Sequence, residues 1–77
     1  MEISIKYFGV LAEKTGCHEE QLSFDSGRMS DVLDRILKKH PELKTKDFQV
    51  AQNKLFVDPE EEVDGTEIAL LPPFSGG

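Results

Sequence analysis

Met29-Ser30-Asp31-Val32-Leu33-Asp34-Arg35-Ile36-Leu37-Lys38-Lys39 is the stretch on which the fold turns. Its apolar residues, Met29, Val32, Leu33, Ile36 and Leu37, fall at i, i+3, i+4, i+7 and i+8, the spacing of one helical face. Ser30 reads as the N-cap, and Asp31 suits the positive start of the helix. Lys38, Lys39 and His40 suit the negative end, and Pro41 closes it. A helix with one apolar face must bury that face, and the flanking segments supply the surface.

On both sides the period drops to two. Upstream, Ile3, Ile5 and Tyr7 alternate with Glu2, Ser4 and Lys6, a half-buried strand, and Phe8 falls on its other face next to Gly9. Val10 to Lys14 reads as a short helix stopped by Gly16. Glu19 to Phe24 reads as a second strand with Leu22 and Phe24 on one side, hairpinned to the first, before the turn cluster Asp25-Ser26-Gly27. Downstream, Glu42 to Asp47 is expected to be a polar connection. Phe48, Val50 and Ala51 give a third strand ending near Gln52-Asn53, and Leu55 to Val57 a fourth. Asp58 to Glu62 is an acidic loop, Val63-Asp64-Gly65 a turn, and Glu67 to Leu71 the last strand. Both faces of that strand are apolar, which predicts a central position in the sheet. Two strands, one long helix and three strands make a two-layer α+β domain in the order of the β-grasp, or ubiquitin-like, roll. A ferredoxin-like fold needs a second long helix, which the pattern lacks. The domain is expected to span 1–71, with 72–77 as a flexible, protruding tail.

A chain of 77 residues is one domain, too small to enclose a substrate cavity beside its core, so a self-contained enzyme is not expected. Fifteen acidic against nine basic residues give a net charge of −6, which disfavours nucleic acid and suits a partner with a basic patch. The same charge also serves plain solubility. One cysteine, Cys17, permits no internal disulfide and suits a reducing cytoplasm. The start lacks the basic and apolar regions of a signal peptide, and no apolar run reaches membrane-spanning length, so no membrane partner is expected.

Function concentrates in Leu70-Leu71-Pro72-Pro73-Phe74-Ser75-Gly76-Gly77. Two prolines stop the ladder and favour an extended exit. Gly76 and Gly77 lack a Cβ and can pass through a slot too narrow for other residues. From Pro72 to Gly77 the reach is roughly 20 Å, enough to enter another protein's active site. The terminal carboxylate is then the reactive group. As a poor electrophile it needs activation, most simply as an acyl-adenylate made from ATP. Sulfur can then replace oxygen to give a nucleophilic thiocarboxylate. A frayed, inert end is the plain alternative.

Tyr7-Phe8-Gly9 and the run from Asp64-Gly65 through Pro72-Pro73 to Gly76-Gly77 carry a resemblance that spans the whole chain. The chain resembles the small, sulfur-carrying subunits of molybdopterin synthase. The thiazole-pathway sulfur carriers share the fold and the Gly-Gly end but usually lack the double proline. The resemblance implies that Gly77 is adenylated by an ATP-dependent, ubiquitin-activating-like adenylyltransferase and then thiocarboxylated from a sulfur donor protein. The tail, Pro72, Pro73, Phe74, Ser75 and Gly76, then inserts into the large subunit, where sulfur attacks a cyclic pyranopterin monophosphate. It further implies a heterotetramer, with small subunits at the ends of a large-subunit dimer. Gln52 departs from the small aliphatic residue expected before Asn53. A thiazole-pathway carrier, or a ubiquitin-like modifier that joins Gly77 to a lysine, would use the same activated end.

Other residues are weighed against simpler roles. Cys17-His18 offers a nucleophile and a base, but adjacent side chains diverge and no third group is evident, which leaves a loop thiol. His18 and His40 lack partners at metal-ligand spacing, so no metal site is expected. Glu60, Glu61 and Glu62 read as solvated, and Ser75 as small filler. There is no Gly-rich phosphate loop, so the chain is expected to bind no cofactor and to leave ATP to its partner. Phe8, Phe56, Leu71 and Phe74 are expected to form an exposed apolar patch beside the tail that docks partners. Burial of these residues under loops is the alternative.

Overall fold

The computed structural model describes residues 2–25, 27–64 and 67–73. In chain order they form β1 (Glu2–Tyr7), α1 (Val10–Thr15), β2 (Glu19–Ser23), α2 (Met29–Lys39), a 3-10 turn (Pro41–Thr45), β3 (Gln49–Gln52), β4 (Leu55–Phe56) and β5 (Glu67–Leu71). The strands make one five-stranded sheet in the order β2-β1-β5-β3-β4. Among the described residues only β1 and β5 pair in parallel, and β5 is central, as its two apolar faces predict. This is the two-layer α+β, β-grasp arrangement.

Register sorts the side chains by face. Ile3, Ile5 and Tyr7 of β1, Ile68 and Leu70 of β5, and Val50 of β3 turn inward and share one core with Met29, Val32 and Ile36 of α2. Leu33 and Leu37 cover its margin, half-buried. Helix α2 is therefore the plug over one sheet face, as its period requires.

Three details differ from the sequence reading. The N-cap of α2 is Arg28, not Ser30. Its N–H donates to Asp31 Oδ2 at 2.9 Å, while the N–H groups of Met29 and Ser30 donate to the carbonyls of Glu61 and Pro59, each at 2.8 Å. The acidic loop thus satisfies the first turn with its backbone, and the serine hydroxyl is not needed. Pro41–Thr45, which overlaps the expected polar connection Glu42 to Asp47, forms the 3-10 turn, and its Leu43 is fully buried (0% exposed). Gln52, the departure from expectation, faces the core side opposite Ile68 and is buried. Its amide donates to the Glu62 carbonyl at 3.2 Å and accepts from the Asp64 N–H at 3.0 Å, which fixes the loop before β5. An aliphatic residue would fill that space and leave both loop groups without these partners.

Candidate functional site: the root of the C-terminal tail

Strand β5 delivers the chain to the tail from the middle of the sheet, held by β1 on one side and β3 on the other. The Phe8 N–H donates to the Leu70 carbonyl at 3.1 Å, one step beyond the Tyr7–Leu70 pair, so the ladder continues to the last residues of the strand. Pro72 then ends it, since proline has no N–H to donate. Pro72 is half-buried and Pro73 exposed.

Gly9 shapes this exit. Its backbone has φ 60° and ψ −134°, a conformation that residues with a Cβ rarely adopt. A Cβ built there would lie 2.9 Å from Cγ of Pro72. The glycine both turns the chain into α1 and leaves room for the first tail proline. Gly9→Ala is expected to lower stability by about 1–3 kcal/mol through backbone strain and to displace Pro72. Thermal melts and the chemical shifts of Pro72 and Leu71 check this; an unchanged Tm with unshifted resonances contradicts it.

Around the root, Phe8 is 45% exposed and Leu71 is half-buried. Val10, read from sequence only as the start of the short helix, is also exposed. On the face away from α2, register aligns Lys6, Ala69, Ala51 and Phe56 in one row across β1, β5, β3 and β4. Phe56 is 68% exposed at the far edge strand, and its neighbour Leu55, also not singled out from sequence, is 72% exposed. Phe8 and Leu71 thus lie together at the exit, while Phe56 stands two strands away from Leu71. Phe74, Ser75, Gly76 and Gly77 lie outside the described residues. An open groove of about 530 Å³ runs beside Phe56, lined by Leu33, Phe48, Val50, Val57 and Pro59.

Cys17 and His18 diverge: Cys17 is half-buried and His18 exposed. Cys17 meets residues that no spacing linked to it. Its Sγ lies 3.7 Å from Glu20 Oε2, and His40 Nε2 lies 2.6 Å from the same oxygen. Tyr7 donates its hydroxyl to Glu20 Oε2 at 2.8 Å, and Lys39 Nζ sits 2.6 Å from Oε1. Burial pushes the Glu20 carboxyl up, but the hydrogen bonds from Lys39, Tyr7 and His40 and the charge of His40 outweigh it and hold the carboxyl down at about 2. The depressed value means the folded state resists protonation of Glu20. Its contribution is fully present above pH 4.5, the ordinary value, and is lost as pH falls through about 2. Because solvent reaches the cluster, this amounts to roughly 1–2 kcal/mol. Tm measured from pH 6 down to pH 2 should therefore fall less steeply in Glu20→Gln than in the native chain; parallel curves contradict the assignment. The β2 alternation places Glu20 inward with Leu22, but the long-range convergence had no signal in sequence.

Among known proteins, the model of the ThiS family matches residues 5–77. The chain belongs to the ThiS family. It is 34% identical over the full length of both chains to the molybdopterin synthase sulfur carrier subunit of Chlamydomonas reinhardtii. A solved protein of Pyrococcus furiosus, named for subunit 1 of the molybdopterin converting factor, superposes with a TM-score of 0.87 at 26% identity, covering 96% of this chain and 99% of that one. Small archaeal modifier protein 1 of Haloferax volcanii gives a TM-score of 0.83 at 26% identity, covering 95% and 98%. The β-grasp assignment thus has both its topology and its solved neighbours behind it. No helix among the described residues is long and apolar enough to cross a membrane.

Proposed function

We propose that this chain is the sulfur-donating small subunit of a molybdopterin synthase. The observation that carries the reading is its full-length similarity to a curated sulfur carrier subunit of that enzyme. The fold supports it: the central strand β5 ends at Leu71 and hands the chain to Pro72, which packs close to Gly9, at the start of the terminal segment. In this reading an ATP-dependent, ubiquitin-activating-like adenylyltransferase joins the Gly77 carboxylate to AMP and releases pyrophosphate. A sulfur donor protein then supplies sulfide, which displaces AMP and leaves a thiocarboxylate. Inside the large subunit the thiocarboxylate sulfur attacks a side-chain carbon of a cyclic pyranopterin monophosphate, and a C–S bond forms as a C–O bond at that carbon breaks and its oxygen leaves with a proton. Hydrolysis of the resulting acyl bond returns Gly77 to a carboxylate and leaves the sulfur on the pterin. The chain itself needs no bound cofactor for these steps.

Phe8 and Leu71 at the exit, with Phe74 beyond it, supply the apolar contact that holds the tail in the large subunit. Phe56 extends that surface along the sheet edge, and two such chains cap a large-subunit dimer as a heterotetramer. The direct test is intact mass after incubation with ATP, activating enzyme and a sulfur donor. Exchange of one oxygen for one sulfur at Gly77 supports the reading, and transfer of that sulfur to the pterin by the large subunit completes it. An unchanged mass under conditions that load an authentic carrier opposes it.

A second reading follows from the likeness to small archaeal modifier protein 1. The same activated Gly77 would then be joined to lysines of other proteins. Isopeptide-linked adducts bearing the terminal sequence, found by mass spectrometry of cell extracts, separate the two. The thiazole-pathway carrier role shares every step up to the thiocarboxylate and differs in the acceptor.

A further inference from the structure

We propose that Cys17, Glu20 and His40 form a binding site for a single Zn²⁺ ion. The three residues come from separate places: the loop between α1 and β2, the inward face of β2, and the C-terminal end of α2. Folding brings one ligand atom of each to within 4.8 Å of the others. The set is a thiol, a carboxylate and an imidazole, the mixed sulfur, oxygen and nitrogen donors that suit Zn²⁺ rather than Mg²⁺ or Ca²⁺.

The distances decide how much movement binding requires. A tetrahedral zinc with ordinary bond lengths sets its sulfur and oxygen ligands about 3.6 Å apart, and its nitrogen and oxygen ligands about 3.4 Å apart. Cys17 Sγ is already 3.7 Å from Glu20 Oε2. His40 Nε2, at 2.6 Å from that oxygen, must withdraw by roughly 0.8 Å, within the reach of a small ring rotation. The hydrogen bond between His40 and Glu20 is replaced by two metal bonds. The cysteine thiol gives up its proton to solvent, as metal binding to a thiol requires.

The surroundings fit an outer shell. Tyr7, a fully enclosed residue, donates to Glu20 Oε2 at 2.8 Å and so orients the carboxylate. Thr15 Oγ1 stands 3.7 Å from Cys17 Sγ. Lys39 is the competing cation, but it sits on the other oxygen, Oε1, and its side chain is 60% exposed, so it can stay on Oε1 or swing into solvent. Three protein ligands leave a fourth position for water. The metal would tie the end of α2 to the β1–β2 hairpin, and so add to folding stability through mass action.

The test uses the full chain under a reductant that does not bind metal. Zinc chloride is titrated calorimetrically, and Co²⁺ serves as a spectroscopic stand-in. The expected result is one equivalent of Zn²⁺, a rise in Tm on its addition, and a thiolate-to-cobalt charge-transfer band with Co²⁺. Cys17→Ser should abolish the band and weaken zinc binding at least about tenfold, and His40→Gln should weaken it similarly. His18→Gln, next to the site but outside the ligand set, should leave the affinity unchanged. Absence of the charge-transfer band, or zinc affinity unaltered in both Cys17→Ser and His40→Gln with folding confirmed by circular dichroism, overturns the proposal. The readout is binding alone, so its outcome is separate from that of sulfur transfer.

Discussion

Removal of Gly76 and Gly77 is expected to bring sulfur transfer down to background while Tm stays within about 2 °C of the native chain. The sheet ends at Leu71 and the Gly9–Pro72 contact lies upstream, so both survive the deletion. What is lost is the group that, in the proposed function, is activated and loaded with sulfur. The shortened chain would present the carboxylate of Ser75, closer to the body by two residues and flanked by a side chain. An activating site built for a bare backbone should reject it on both counts. Single-turnover transfer from the purified activating enzyme checks the loss, and a melt of the same sample checks the fold. Retention of a substantial fraction of the native rate would mean that the terminus is not the carrier.

Leu43→Ala should produce the largest loss of stability. Leu43 is fully buried, between α1 and the end of α2, in a turn that looks polar in sequence. Truncating a leucine at such a site costs about 2–4 kcal/mol, from lost transfer energy and the cavity left behind. A domain of this size has a total stability of only about 4–12 kcal/mol, so Tm should drop by roughly 10–20 °C. Leu55→Ala is the control. Leu55 is 72% exposed, and its loss should move stability by no more than about 0.5 kcal/mol. Urea denaturation of the two variants ranks them; equal effects contradict the burial pattern.

The architecture was legible where side chains repeat with a clear period. The spacing from Met29 to Leu37 marks α2, the alternation from Ile3 to Tyr7 marks β1, and the doubly apolar run from Ile68 to Leu71 marks the central strand. Positions whose role depends on a distant partner were not legible. Leu43 stands alone among polar residues, so no pattern reveals its burial. The start of α2 is displaced from Ser30 because carbonyls from Pro59 and Glu61 satisfy its first donors. Gln52 departs from the expected aliphatic residue because its amide holds a loop some ten residues away. Cys17, Glu20 and His40 converge only once β2 pairs with β1 and α2 crosses the sheet. Gly9 sits within a recognisable Tyr7-Phe8-Gly9, yet its service to Pro72 appears only in the folded chain. The reading of the terminal motif rests on residue types in order and not on a pocket, and Phe74 to Gly77 lie outside the described residues.

A chain lengthened by one alanine past Gly77, with no processing, puts the central claim to its most direct trial. It keeps every residue of the native chain and buries the Gly77 carbonyl in a peptide bond. After incubation with ATP, the activating enzyme and a sulfur donor, intact mass spectrometry should show sulfur on the native chain and none on the lengthened one. Equal sulfur incorporation by both chains would contradict the account.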